Sequence, residues 1–342
     1  MKKKFAKSLN EYRAYLLVAV MLLLGIFANK FFTAYNIKSI LDSTVLYTFI
    51  GIGFTMCMVA GHMDLSVGAM ANLGAVLTMG MHTLYGMGWA ASIAIATACA
   101  ALAGVINGIM ISKAKIHSFI ATLGMQFVLK GVMYIFCNGA EISDKGDYAF
   151  ADVLNQWLKP LPVTPKVLIA IAMVVIVAVV MRNTRFGRNI YMLGGNAETA
   201  WLAGIKRDRY MILIFAFSGF VCAVGGAIFA IAQSSALPNM GEKGISPLLV
   251  ALAATIIGGT NTNGGKGSVW HTFVAVVGLM TMASVLMNLT GKFEVQILCN
   301  GLVLAACVFY ETITAYFNSK KIGIRQPLLE KRAEELTNSG AK

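Results

Sequence analysis

Apolar residues dominate this chain in stretches close to the length a helix needs to cross a hydrocarbon core, about 20 residues. Ten such stretches lie near 14–31, 45–60, 66–84, 88–112, 118–137, 166–181, 210–232, 245–259, 269–289 and 296–317. The second, third and eighth are short or interrupted by Gly and polar residues. The pattern predicts an all-α integral membrane protein, a polytopic bundle of about ten transmembrane helices. It divides the chain into an N-terminal segment 1–13, a transmembrane domain 14–317 and a tail 318–342.

Composition agrees with that pattern. The chain has 342 residues, of which 58% are hydrophobic and 13% charged. A soluble domain carries about 25% charged residues, so too few charges are present to clothe a water-facing surface, and lipid is the natural partner for the excess. The 34 glycines suit close helix packing in a bilayer. The net charge of +13 does not mark a nucleic-acid binder, because the bases sit in short patches between apolar runs. With the N-terminus placed in the cytoplasm, 20 Lys and Arg fall on the inside, 7 on the outside, and Lys130 lies within a helix. That asymmetry puts both termini in the cytoplasm of a bacterial inner membrane. The apolar run from Ala14 to Ala28 follows a basic N-terminus without a small-x-small cleavage site, and reads as an uncleaved first helix. The six cysteines form no CxxC and no Cys/His cluster, so they read as small buried hydrophobes, with no metal or cofactor.

Two loops stand out. The outer loop 138–165 carries Glu141, Asp144, Asp147 and Asp152, then three prolines, and has room for a short helix. It reads either as a solvated connection or as a docking surface for an external partner. The inner loop 182–209 is basic, and within it Asn196–Ala203 reads as a short helix with Asn196 as N-cap, preceded by Gly194 and Gly195 and closed by Gly204. A weak internal repeat also appears. Residues 58–76 and 256–274 each run from an apolar segment into a small, polar break toward the cytoplasm. Such interrupted segments often line transport paths.

Asp64 is the outstanding acid, because a carboxylate at membrane depth is expensive. Two readings stay open: a cap on the third helix, or a role in gating or solute contact. His62, two residues earlier, admits a proton relay with it. Lys130 either snorkels to the outer interface or meets a polar pathway, and Glu311 reads as an interfacial anchor or a polar contact between helices. Residues 260–267 fail both ends of the P-loop pattern, with Thr260 and Gly267 where Gly and Ser/Thr are required. No GxSxG or HExxH is present, and the four histidines are scattered, so an enzyme is not indicated.

AlaGlyHisMetAspLeuSerValGly at 60–68 resembles the GGIDLSVG-type motif of the ribose/galactose/autoinducer-2 class of ABC permeases. HisSerPheIleAlaThrLeuGlyMet at 117–125, with Lys130–Gly131, is similar to that class's PPFIATLGM…RG segment. Residues 184–196 and 203–205 resemble its long cytoplasmic loop, and 257–267 its late glycine-rich break. His117 stands where the class often has Pro, Lys130 where it often has Arg, and 242–252 lacks an acidic pair found in many members. The resemblance implies a type II-like ABC importer permease without catalytic residues of its own. It would work with ABC ATPase subunits, an extracytoplasmic solute-binding protein, and a second permease copy or a sister permease. The cargo would be a monosaccharide of the ribose, galactose or xylose type. A permease for nucleosides or branched-chain amino acids is the alternative, and an ion-coupled secondary transporter the more distant one. In this reading Arg185, Phe186, Gly187, Arg188, Gly195, Asn196, Ala200 and Gly204 build the ATPase coupling loop. Asp64, Ser66, Thr122, Lys130, Gly258, Gly259 and Asn261 are pathway or gating candidates.

Overall fold

A computed structural model describes residues 2–144, 146, 148–239, 246–303, 305–306 and 309. Lys145, Lys243, Glu311 and the tail 318–342 lie outside the described residues. Met1–Asn300 form one compact unit, and Gly301–Lys342 a second that is helical at its described positions.

The first unit is helical almost throughout. In chain order it contains α1 (Lys2–Gly25), α2 (Ala34–Val59), α3 (Val67–Thr83), α4 (Trp89–Ser112), α5 (Ser118–Phe136) and β1 (Ile142–Ser143). There follow α6 (Ala149–Asn155), α7 (Pro165–Asn183), α8 (Arg185–Gly195), α9 (Ala197–Leu202), α10 (Arg207–Gln233), β2 (Ser235–Ala236), α11 (Pro247–Ile257) and α12 (Val269–Thr290). A short apolar helix also covers Phe293–Val303. Six of these helices, α2, α4, α5, α7, α10 and α12, are long and apolar enough to cross a membrane.

Local chemistry sets the helix ends. Thr33 caps α2 by accepting from the Asn36 N–H, and Ser268 caps α12 by accepting from the His271 N–H. Pro165 and Pro247 open α7 and α11, where a missing N–H costs nothing. Left-handed Ser234 and Gly291 close α10 and α12.

α2 is the central helix. It is 78% buried along its apolar window, against 28% for α5 and α7, which present broad apolar faces outward. α10 packs along α4, α3 and α2. Small residues permit that approach: a side chain on Gly219 would collide with the Ala100 carbonyl, and one on Gly74 with the Ala223 carbonyl.

The structure departs from the sequence pattern in three places. α2 starts at Ala34, not near 45, because Lys38 and Asp42 neutralise one another one turn apart and so hide three helical turns from a hydropathy reading. The all-α expectation gains a small antiparallel ladder, with Ile142 opposite Ala236 and Ser143 opposite Ser235. The eighth stretch is only an 11-residue helix, α11, about 16 Å long and so half a bilayer core. The chain leading to it returns into the bundle, where the Asn72 side-chain amide donates to the Pro238 carbonyl at 2.7 Å.

Candidate functional site

At one end of the unit the loop after α7 folds into two helices. Thr184 caps α8 by accepting from the Gly187 N–H, and Gly187 lies flush against the Met181 carbonyl. α8 buries Ile190 and Leu193 and exposes Arg185 and Arg188. Phe186 stacks on Tyr210, ring centres 5.7 Å apart. α8 continues through Gly194 and Gly195, the two glycines that precede Asn196. Asn196 then caps α9, accepting from the N–H groups of Glu198 and Thr199 at 3.0 Å each. α9 tucks Ala200 under Leu193 and Ile205, and Gly204, at φ +76°, turns the chain into α10. Trp201 and Leu202 remain 73% and 74% exposed at the tip. The sequence reading passed over these two. Their signal was an adjacent pair of large apolar residues in an otherwise polar connection.

The two breaks seen as a repeat meet beneath α8. The Gly265 N–H donates to the Val59 carbonyl at 2.8 Å. Gly61, Gly264 and Gly265 all have positive φ. A side chain on Gly264 would sit 2.7 Å from the Gly61 Cα, and one on Gly265 2.6 Å from the Gly195 Cα. The Tyr191 hydroxyl donates to the Gly267 carbonyl at 2.8 Å. Gly258 ends α11 against the Thr272 N–H, Gly259 has φ +87°, and Asn261 closes the loop by donating its N–H to the Lys266 carbonyl.

Beside this junction Asp64 is fully buried. Its Oδ1 accepts from the Ser66 N–H at 3.0 Å and from Ser66 Oγ, and its Oδ2 accepts from Ser218 Oγ at 3.1 Å. Asn107 Nδ2 donates to Ser66 Oγ at 3.0 Å, and the Leu65 N–H donates to Thr122 Oγ1 at 3.0 Å. Asp64, Ser66 and Thr122 therefore share one polar cluster that holds the first break to α4, α5 and α10. The helix-cap reading of Asp64 is corrected in part: Ser66 occupies the N-cap of α3, and Asp64 reaches only the Ser66 N–H while also binding a distant helix. His62 is pushed down to about 4, chiefly by burial and then by Arg207 and His117. It is neutral near pH 7. Lys130 stands apart on α5, its Nζ 6.0 Å from the Tyr134 ring centre. No group of three His, Cys, Asp or Glu side chains suited to a metal occurs among the described residues.

The opposite end opens into a cavity of about 970 Å³ between the first half of α2, the ends of α10 and α12, and the head of α11. Asp42 anchors its wall. Its Oδ2 pairs with Lys38 Nζ at 2.9 Å and Lys166 Nζ at 3.3 Å, and its Oδ1 accepts from Thr164 Oγ1 at 2.6 Å. Pro247, the first residue of α11, also lines the cavity. α11 therefore spans from the cavity to the glycine junction. Hydroxyl contacts tie it sideways to α2 and α12: Thr55 lies 3.3 Å from Thr255 and 2.9 Å from Thr272.

Residues 36–312 match the family described as Branched-chain amino acid transport system / permease component. The chain is 31% identical to the ribose import permease protein RbsC of Bacillus subtilis, over 86% of this chain and 90% of that protein. It is 29% identical to RbsC of Haemophilus influenzae, over 93% and 97%. It is 28% identical to the L-arabinose transport system permease protein AraH of Escherichia coli, over 90% and 92%. No solved structure matches the chain.

Proposed function

The chain belongs to the family of branched-chain amino acid transport system permease components, and on that basis we propose that it is the membrane-spanning permease subunit of an ATP-driven ABC importer for a sugar. It carries cargo and hydrolyses nothing itself. Partner ATPases supply the energy, a binding protein delivers the solute from outside, and a second permease copy or a sister permease completes the pathway. About ten crossings, with both termini in the cytoplasm, accommodate the basic inner segments. Contacts between loops support that sidedness, because they join segments of like assignment. Val59 meets Gly265, and Lys115 lies 3.8 Å from Asp208, at the inner end; Ile142 pairs with Ala236, and Asp42 with Lys166, at the outer end.

The observation that carries the reading is the seat of α9. It leaves Trp201 and Leu202 exposed, on the side the basic segments assign to the cytoplasm, while the end of α8, through Gly194 and Gly195, rests directly on the two breaks. A rigid push on α9 is thereby delivered to Gly61 and to the Gly264–Gly265 turn, and from there to α11, whose other end reaches the outer cavity. Such a two-state element shifts only when a ligand binds its states unequally. Here ATP acting on the docked ATPases supplies the difference.

The test is purification in mild detergent from native membranes, comparing the parent with Gly204→Arg. The substitution places a side chain at φ +76°, where the turn out of α9 disfavours it. An ATPase that accompanies the parent and is lost from the variant supports both the importer and the docking role. Absence of any ATPase from an otherwise intact parent complex overturns the importer.

A further inference from the structure

We infer that the outer cavity is a solute-receiving site for a monosaccharide-sized polyol, built to reject positively charged versions of that solute and to favour negatively charged ones. The inference rests on the permease reading above and adds a location and a charge rule.

The cavity volume of about 970 Å³ lies within the range of small-molecule sites, roughly 300–1,000 Å³. Its lining on α2 runs from Tyr35 to Tyr47, about 18 Å along the helix axis. It therefore reaches about halfway through the bundle before the fully buried stretch from Phe49 closes it. That is the shape of an outward-facing vestibule ending near midplane.

The chemistry of the wall follows from counting hydrogen-bond capacity. Asp42 is the only acid on this wall among the described residues, and both of its oxygens are engaged. Lys38 gives one N–H to Asp42, and Lys166 gives its N–H groups to Asp42 and to Asn155. Each ammonium has three donors, so the unspent capacity of the cluster is donor capacity. It suits the oxygens of a polyol. Ser43, Asn288 and Gln296 add groups able to bond hydroxyls in either direction.

Charge supplies the selection. Two lysines against one aspartate leave the cluster with a net positive charge, and the N-terminal end of α11 faces the same space through Pro247 and adds the positive end of its dipole. Both sources repel a cation and attract an anion at the place where a solute would rest. Both lysines are among the seven bases on the outer side, so the pair is not a product of the inward bias in basic residues.

The test uses the complete importer in right-side-out vesicles. Ser43, exposed on the cavity wall, is replaced in a Ser43→Cys variant and labelled with a membrane-impermeant maleimide, with the parent chain setting the background from its own thiols. Millimolar D-galactose, D-galactonate and D-galactosamine serve as competitors of one size and three charges. Labelling from outside, slowed at least threefold by the sugar, more by its acid and not by the amino sugar, supports the site. Absence of labelling, absence of protection, or protection by galactosamine equal to that by galactose overturns it. Adding Lys38→Gln should shrink the preference for acid over amino sugar on the order of fivefold, whereas Lys38→Arg should retain it. An unchanged preference in Lys38→Gln overturns the charge rule. ATPase retention is read in the same vesicles: its loss with protection intact would fault the importer and leave the vestibule standing.

Discussion

The backbone N–H of Gly265 donates to the carbonyl of Val59 at 2.8 Å, and this bond joins two breaks that lie some two hundred residues apart in the chain. Around it Gly194, Gly264 and Gly265 have no volume for a side chain, since an added carbon would run into the Val59 carbonyl, the Gly61 Cα and the Gly195 Cα respectively. Gly264→Ala and Gly265→Ala should each cost about 2–4 kcal/mol, from a left-handed alanine together with backbone overlap. The loss should appear as a lower unfolding temperature in detergent. Gly124→Ala, inside α5 where an added carbon meets nothing within 4 Å, should not lower that temperature.

Trp201 and Leu202 contribute little to the permease fold because both are largely exposed. Trp201→Ala with Leu202→Ala should leave the unfolding temperature within a degree or so of the parent. It should weaken the ATPase by about 30-fold or more, the scale of an interface anchor. Titration of the purified ATPase against permease in nanodiscs measures this. Equal affinity in parent and double variant would remove α9 as the docking element.

Asp64, fully buried, accepts from the Ser66 N–H, Ser66 Oγ and Ser218 Oγ, with Cys57 Sγ 4.0 Å from its Oδ2. Asp64→Ala leaves those donors unpaired and should lower stability by about 3–5 kcal/mol. Ser218→Ala removes one of the three bonds and should cost about 1 kcal/mol. Denaturation of the two variants side by side tests the ratio. Similar losses would mean that Ser218 is the stronger member of the cluster.

His62 carries a pH signature. Its value falls from 6.5 in the unfolded chain to about 4 in the fold, chiefly through burial and then through Arg207 and His117. The folded state thus favours the neutral ring. Its contribution is complete above pH 6.5 and is lost as the pH falls toward 4, reaching about 3 kcal/mol at the lower limit. The unfolding temperature of the parent should fall across that window. His62→Gln should show a shallower slope there and no difference in slope between pH 7 and 8.

Asp42 holds two lysines from two helices. Asp42→Asn leaves like charges facing each other and should lower stability by about 1–3 kcal/mol, less at high salt because the repulsion is screened. Restoring the balance with Lys38→Gln in the same chain should recover part of that loss. A double variant no better than the single would show that Thr164 Oγ1, not the lysines, is the partner that matters.

The membrane character of the chain, the positions of most helices and the capped turn at Asn196–Gly204 were legible in the sequence because each depends on local facts. Apolar length, basic asymmetry, and an N-cap followed by a closing glycine need no distant partner. Asp64 was legible as an anomaly for the same reason, since an acid among apolar runs announces its own cost. Its role was not, because Ser218 and Asn107 come from other helices. The start of α2 was hidden by Lys38 and Asp42, two charges that look unfavourable singly and neutralise one another only once the helix has formed. Trp201 and Leu202 were visible as letters, but their exposure was not, since that depends on which face of α9 Ala200 occupies.

What the sequence determined by itself was therefore the membrane solvent and the helical class, which follow from composition and period along the chain, and the family, which rests on the resemblance of its motifs. What only the tertiary structure decided was which breaks touch, which end of α11 meets the cavity, and which charges pair. These are relations between segments far apart in sequence, and no local pattern carries them. They arise when helices pack, because only then do glycines find the backbones they must accommodate and buried polar groups find the partners that offset their desolvation.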